Sequence, residues 1–464
     1  RQVPRMPEKT LDSMALGGMY DLVGGGFHRY SVDRRWLVPH FEKMLYDNAL
    51  LASTYLDAFQ ATGEPRFATI VRETMDYVLR EMTHSDGGFY STQDADSEGA
   101  EGKFFVWTKD EIESVLAPEE SRVLCYCYDV TPEGNWEGHN ILNRVKTTAQ
   151  AARVLGLSEA DLDLLLISGR KKLFERREQR VHPGRDDKIL AGWNGLMIAA
   201  MARAGRVLDE RRFTAGAARS ADFLLSRLRT PEGRLLHVFK DGTARLAAYL
   251  DDYACALDAL AEVYQATFDP RYVAAAAELA ADLIANFADS AAGGFFYTAH
   301  DHETLIARSK DLHDNATPSG NGMAAYSLLR LARLCGREDF DAAARGTLEM
   351  LSGEMARVTM ATGQALLALD DLLGPSYELV LVDGQSHDET TSVLRALNKY
   401  FLPNAVIARR SADAGDSSIA PLLRETLAGK TAVDEQPTLY VCERGTCRPQ
   451  VADLRSIEEL LATL

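Results

Sequence analysis

Apolar residues recur along this chain at the three-to-four spacing of a helix face, and the helical runs come in pairs. The segments 48–67, 194–213 and 321–340 each begin with asparagine and end with phenylalanine nineteen positions on; 253–272 repeats the spacing with tyrosine at both ends. Each is followed by a second amphipathic run, and the first and third pairs close on Gly87-Gly88-Phe89 and Gly293-Gly294-Phe295. A unit of about 60 residues reading helix, short loop, helix, glycine turn is the signature of stacked helical hairpins.

The pattern predicts a helix over 9–23 that runs into Gly24-Gly25-Gly26-Phe27. It then predicts the pairs 41–59 with 67–82, 193–208 with 213–228, 251–267 with 272–287 and 320–334 with 340–355, and a last helix over 364–373. Between the first two pairs, a helix opened by a Thr108–Glu111 capping box and another over 161–176 read as one degenerate hairpin, for about twelve helices in all. Units this long and uneven favour closure of residues 1–374 into an (α/α)6 toroid, similar to six-hairpin glycosidases, over an open superhelix. After Pro375 the pattern changes. Short, partly β-branched runs at 377–383, 404–408 and 438–442 alternate with helical segments at 389–401, 419–427 and 454–464. Residues 375–464 are therefore expected to form a small α/β domain with a mainly parallel sheet. It has neither a P-loop nor a dinucleotide-binding glycine fingerprint, so nucleotide binding there is unsupported.

With 464 residues, 46% hydrophobic and 26% charged, the chain has material for more than one core. Its net charge of −17 argues against nucleic acid or an anionic membrane as partner. No apolar run approaches the roughly 18 residues of a spanning helix. The six cysteines, with Cys125/Cys127 and Cys442/Cys447 at spacings that suit neither a zinc ribbon nor a redox pair, read as reduced structural thiols of a cytoplasmic protein. The chain opens on Arg1 rather than Met and reads as a fragment.

In a ring of paired helices the inner members start at one end. The first helix of each pair is the smaller and less charged, as in Met197-Ile198-Ala199-Ala200-Met201-Ala202, which suits a crowded inner layer. Residues at those starts should converge on one mouth: His40, Glu42, Asp47 and Asn48; Asp187, Trp193 and Asn194; Asp251, Asp252 and Tyr253; His313 and Asn321. Asp94 and Asp96 belong to the same rim. Carboxylates bind hydroxyls and aromatic faces stack on sugar rings, so this is the profile of a carbohydrate site. Structural readings stand beside it. Asp and Asn at helix starts are commonly N-caps, and His40 after Pro39 also fits a core histidine. Asp94, Asp96 and Glu98 open like a calcium loop, but Phe105 stands where the twelfth-position Glu is needed. His300 and His302 read as an exposed turn. No metal or cofactor is implied.

At these residues the sequence resembles a known family. The strings VPHFEKMLYDNALL (38–51), GGFYSTQDADSEGAEGKFFVWTKDEI (87–112) and WNGLMIAAMARAG (193–205) are similar to those of the spermatogenesis-associated, thioredoxin-domain-containing proteins. So are LDDYACALDALAEVYQAT (250–267), ATPSGNGMAAYSLLRLARL (316–334) and, in the C-terminal domain, YVCERGTCRPQVADLRSIEELL (440–461). The resemblance implies a toroid similar to N-acylglucosamine 2-epimerases and six-hairpin glycosidases. It also implies an upstream thioredoxin-like domain, a partner these residues are expected to lack.

Three functions compete. A sugar epimerase or isomerase removes a proton beside a carbonyl and returns it, work for bases titrating near neutrality; His40 and His313 immediately precede inner helices. A glycoside hydrolase needs two carboxylates across the scissile bond, with Asp96 and Asp252 as acid and base and Asp47 and Asp187 as competitors. The third is a non-catalytic scaffold or binding module working with the upstream domain. The first gives a sugar-like ligand held by His40, Asp47, Asp96, Asp252 and His313 around one cavity. The few strands after Pro375 leave edges that need cover, so an apolar patch is expected near residue 1 or on the C-terminal domain.

Overall fold

The computed structural model describes residues 5–303, 306–413 and 415–464. Two compact units emerge, Arg1–Thr83 with Tyr90–Asp187 and His84–Phe89 with Lys188–Leu464. The fold class is mainly α, built of helical hairpins with a small α/β unit at the C-terminus, as the sequence predicts.

The first unit holds the hairpin Leu45–Thr62 with Pro65–Glu81. Gly63, at φ 75°, ends one helix and Pro65 opens the next, where its missing N–H costs nothing. The first helix, Arg5–Leu16, stops well short of the expected Val23, because Gly17-Gly18 turns the chain and Gly18 N–H bonds to Trp36 O at 2.8 Å. Thr108 caps Lys109–Val115 by accepting Glu111 N–H at 3.2 Å, while the Glu111 carboxylate turns to Arg180 at 2.8 Å instead of closing the box. Pro118–Cys127 and Thr148–Leu155, at ten and eight residues, are too short to show an apolar stripe and take the helix tally past twelve. Glu159–Arg177 completes this unit. Its core contains an ion cluster: Asp21 accepts from Lys43 Nζ at 2.9 Å and Arg177 Nη1 at 2.8 Å, and Lys43 sits 4.3 Å over the Tyr77 ring. Burial pushes the Lys43 ammonium down to about 8 against the pull of Asp21.

The second unit holds three regular hairpins: Ala191–Val207 with Arg211–Arg227, Leu250–Thr267 with Pro270–Phe287, and Gly320–Cys335 with Glu338–Arg357. The first helix of each is the more buried, thirteen of seventeen residues in Ala191–Val207 against seven of seventeen in Arg211–Arg227, as the inner–outer reading requires. Gly195 lets the inner helices close: a Cβ there would lie 2.6 Å from the Cys255 carbonyl carbon. An ion network ties the three inner helices, Arg330 reaching Asp258 at 2.6 Å and Glu262 at 2.5 Å, and Arg206 reaching Glu262 at 2.9 Å.

The C-terminal sheet differs from expectation. Its order is Ala405–Arg410, Tyr377–Val382, Thr438–Glu443, Thr446–Cys447, with Val451–Ala452 also paired to Thr438–Glu443. Only the first pairing is parallel; the others are antiparallel. The expected crossover helix shrinks to Arg424–Leu427 behind Pro421, so no long helix returns the chain for a second parallel pairing. Thr438–Glu443 turns back through Arg444-Gly445, both at positive φ, in a tight hairpin. That hairpin sets Cys442 opposite Cys447 and joins them in a disulfide, which corrects the reading of all six cysteines as reduced; the other four are free and buried. The Ala405–Arg410 edge is covered, with Ile407 N–H donating to Gln265 Oε1 at 2.9 Å. No described helix is long and apolar enough to cross a membrane.

Candidate functional site

The three repeated asparagines are joints. Asn48 Oδ1 accepts Phe27 N–H at 2.7 Å, and its Nδ2 donates to Phe27 O and Met44 O at 3.1 and 2.9 Å. Asn194 does the same to Phe89 N–H and O at 2.8 and 2.9 Å, and Asn321 to Phe295 N–H and O at 2.8 and 2.9 Å. Each bolts the start of an inner helix to a glycine turn upstream, after Arg5–Leu16 for Asn48, after Pro65–Glu81 for Asn194 and after Pro270–Phe287 for Asn321. Gly294, at φ 68°, makes room for the joint, since a Cβ there would lie 3.0 Å from Asn321 Oδ1. At the fourth helix Tyr253 takes the place: its hydroxyl accepts Leu235 N–H at 3.0 Å and donates to Asp282. All four are buried, with their polar groups engaged by the fold, which is what the structural reading of residues at helix starts expects.

Around the start of Leu250–Thr267 the second unit gathers ionisable and aromatic groups. Asp252 is 1% exposed. Its Oδ1 accepts Gly192 N–H at 2.8 Å, and its Oδ2 accepts Tyr249 N–H at 3.0 Å and His237 Nδ1–H at 2.7 Å. That bond fixes the tautomer and leaves His237 Nε2 to act. Burial works to lower the His237 pKa, but the Asp252 bond and the charges of Asp252 and Asp251 outweigh it and hold it above its ordinary value. Asp251, one residue away, has a buried Oδ1 with no hydrogen-bond partner; burial, then the charge of Asp252, pushes its carboxyl up to about 7. Tyr249 stacks on Tyr297, ring centroids 5.0 Å apart, and meets His237 and His302 edge-on at 5.1 and 5.5 Å. His302 Nε2 is likewise buried and unpartnered. Asp311 accepts Gly320 N–H at 2.8 Å, and burial raises its pKa.

His237 is the residue sequence reasoning missed. It lies on Leu236–Lys240, paired with Thr243–Ala247 across Asp241-Gly242, both at positive φ. An Asp-Gly between β-prone runs is a strong hairpin signal and could have placed it. Asp252, nominated as acid or base, has both oxygens engaged and orients His237 instead. His313 is an exposed ring paired with Glu354 of the outer helix at 2.9 Å, close enough to Asp311 for its charge to act on that carboxyl. Trp193 is half-buried on Ala191–Val207.

In the first unit His40 Nδ1 lies 2.8 Å from Glu101 Oε1 and its Nε2 3.5 Å from Glu42, which also pairs with Arg29 at 3.1 Å. Asp47 has a buried, unpartnered Oδ2, and burial pushes its carboxyl up to about 7. Asp96 is exposed on a two-residue strand whose partner across the ladder is Glu101, and Asp94 Oδ1 accepts its N–H at 3.2 Å. This unit thus brings His40, Glu42 and Asp96 around Glu101. Asp187 is exposed at the end of the unit.

No family model matches the sequence. Human spermatogenesis-associated protein 20 is 33% identical over an alignment of 494 residues that covers 98% of this chain and 62% of the relative. The uncharacterised Caenorhabditis elegans protein B0495.5 is 28% identical and covered to 66%. The chain thus spans about two thirds of the length of these relatives or slightly less. Among solved structures, a cellobiose 2-epimerase from Spirochaeta thermophila is 13% identical with a TM-score of 0.46, over 76% of this chain and 72% of that one. A D-mannose isomerase is 12% identical with a TM-score of 0.36, over 75% and 85%.

Proposed function

We propose that this chain, homologous to human spermatogenesis-associated protein 20 over 98% of its own length, is a carbohydrate-active protein that shifts protons in an epimerase- or isomerase-like reaction. The observation that carries the reading is the His237–Asp252 pair beside Asp251, at the start of an inner helix. His237 Nε2 takes the proton next to the carbonyl of an open-chain sugar, and Asp252 stabilises the imidazolium that forms. Asp251, whose carboxyl titrates near neutrality, supplies or accepts the complementary proton at oxygen or carbon. Tyr249 and Tyr297 offer faces for the sugar chain. In the first unit, taken by itself, His40 and Asp47 remain proposed site residues. Asp252 has no free oxygen to serve as the base of a hydrolase, which favours proton shuttling over glycoside hydrolysis. An upstream thioredoxin-like domain is the proposed partner of the scaffold reading.

Deuterium incorporation from D2O at the carbon beside the carbonyl of glucose, mannose, N-acetylglucosamine or cellobiose tests this by NMR. Exchange should vanish in His237→Gln with the fold intact. Absence of exchange with every sugar in that panel sinks the proposal.

A further inference from the structure

Asp251 Oδ1 and His302 Nε2 are two buried atoms that no described group satisfies, and both residues adjoin Tyr249, Asp251 two positions along the chain and His302 by ring contact. The Tyr249 ring lies edge-on to His302 at 5.5 Å and stacked on Tyr297 at 5.0 Å. Unfilled acceptors and aromatic faces together suit a donor, and a cationic one best. The nearby side-chain cations are committed elsewhere. Arg234 binds Asp301 at 2.9 Å, Arg308 donates to Thr298 O, and Lys310 reaches Asp289 and Gly293 O at 2.8 and 2.6 Å. The charged or titratable groups facing Asp251 are Asp252 and the Cys255 thiol on its own helix, His237 on the hairpin, Asp311 on the loop before Gly320–Cys335, and Tyr297. Three carboxyl groups around one subsite repel a uronate or a sugar phosphate and attract an ammonium.

We infer, on the reading of this rim as a sugar site, that the Asp251 subsite takes a protonated amine, so the preferred ligand is an amino sugar whose amine is free. The ammonium donates to Asp251 Oδ1 and lies against the Tyr249 and Tyr297 rings; His302 Nε2 accepts from a neighbouring hydroxyl. Burial and the charge of Asp252, which hold the Asp251 carboxyl up near neutrality, are offset once a cation binds, so binding releases a proton.

Calorimetric titration of the 464-residue chain at pH 7.5 with glucosamine, glucose and glucuronate tests this. Glucosamine should bind about tenfold more tightly than glucose, the gap between a charge-assisted and a neutral hydrogen bond, and glucuronate more weakly than either. Asp251→Asn should bring glucosamine to the affinity of glucose, whereas His302→Gln should keep the ranking. The wild-type ranking is informative even if a variant fails to fold. Equal affinity for glucosamine and glucose, tighter binding of glucuronate, or an unchanged preference in Asp251→Asn overturns the inference while leaving the sugar site standing. If none of the three binds, the sugar site itself is wrong.

Discussion

Replacing Asn194 with alanine should unlock a joint between hairpins without touching the candidate site. The side chain is 1% exposed and makes three bonds to backbone, at 2.8 Å from Phe89 N–H and 2.9 Å to each of Phe89 O and Leu190 O. Removing it strands a buried N–H, a loss of about 1–3 kcal/mol, and takes the donor from a buried carbonyl for about 1 kcal/mol more. The expected total is about 3 kcal/mol, or a fall in Tm of about 6–12 °C for a unit of this size. Asn194→Asp keeps the acceptor for Phe89 N–H but loses both donations and buries a charge, so it should cost at least as much. Asn315→Ala, at an exposed position, should stay within about 0.5 kcal/mol. Urea unfolding gives the energies, and hydrogen exchange at the Phe89 amide gives the location. A loss under about 1 kcal/mol, or a Phe89 amide that stays protected in Asn194→Ala, would refute the joint.

Arg330→Met should cost about 3–5 kcal/mol, because it leaves Asp258 buried without its paired cation and Glu262 with Arg206 alone, and adding Glu262→Gln should recover part of it in urea titrations. Burial works to raise the Glu262 pKa, but Arg330 and Arg206 win and hold it down to about 2. Its contribution is therefore present above the unfolded carboxylate range and is lost as pH falls from about 4.5 toward 2, a dependence that Glu262→Gln should remove. For His237, held above its ordinary value, the sign is opposite. Its contribution is full below about 6.5 and lost as pH rises through the folded value, and Asp252→Asn should flatten that slope in unfolding measured from pH 5.5 to 8.5. Alkylation of the denatured, unreduced chain should count four thiols, and Cys442→Ser with Cys447→Ser should cost about 2 kcal/mol for so short a loop.

The regular hairpins were legible because a long amphipathic run, a glycine or proline break and a second run agree with one another. The short helices Pro118–Cys127 and Thr148–Leu155 have too few turns for a periodic signal, and the sheet direction after Arg410 depends on how far the next helix extends, which Pro421 cuts short. Asp251 was legible by position at a helix start. His237 was not, because it reaches the site from a strand. The repeated asparagines carried a signal of position, but not of what they bond to. Their partners are backbone groups of a glycine turn 21 to 105 residues upstream, beyond the reach of any local pattern.

The same joint therefore closes over intervening segments of very different length. Phe27 and Asn48 are 21 residues apart, Phe295 and Asn321 are 26, and Phe89 and Asn194 are 105. Closing the longest rather than the shortest adds only about 1.4 kcal/mol of chain entropy. Each joint is thus an insertion port: both ends of whatever lies between are clamped to the scaffold, and the clamp does not register the length of the insert. Between Phe89 and Asn194 the chain leaves one compact unit, contributes Tyr90–Asp187 to the other, and returns. A scaffold with such ports can change the chemistry at its helix starts by exchanging inserts while its hairpin register stays the same.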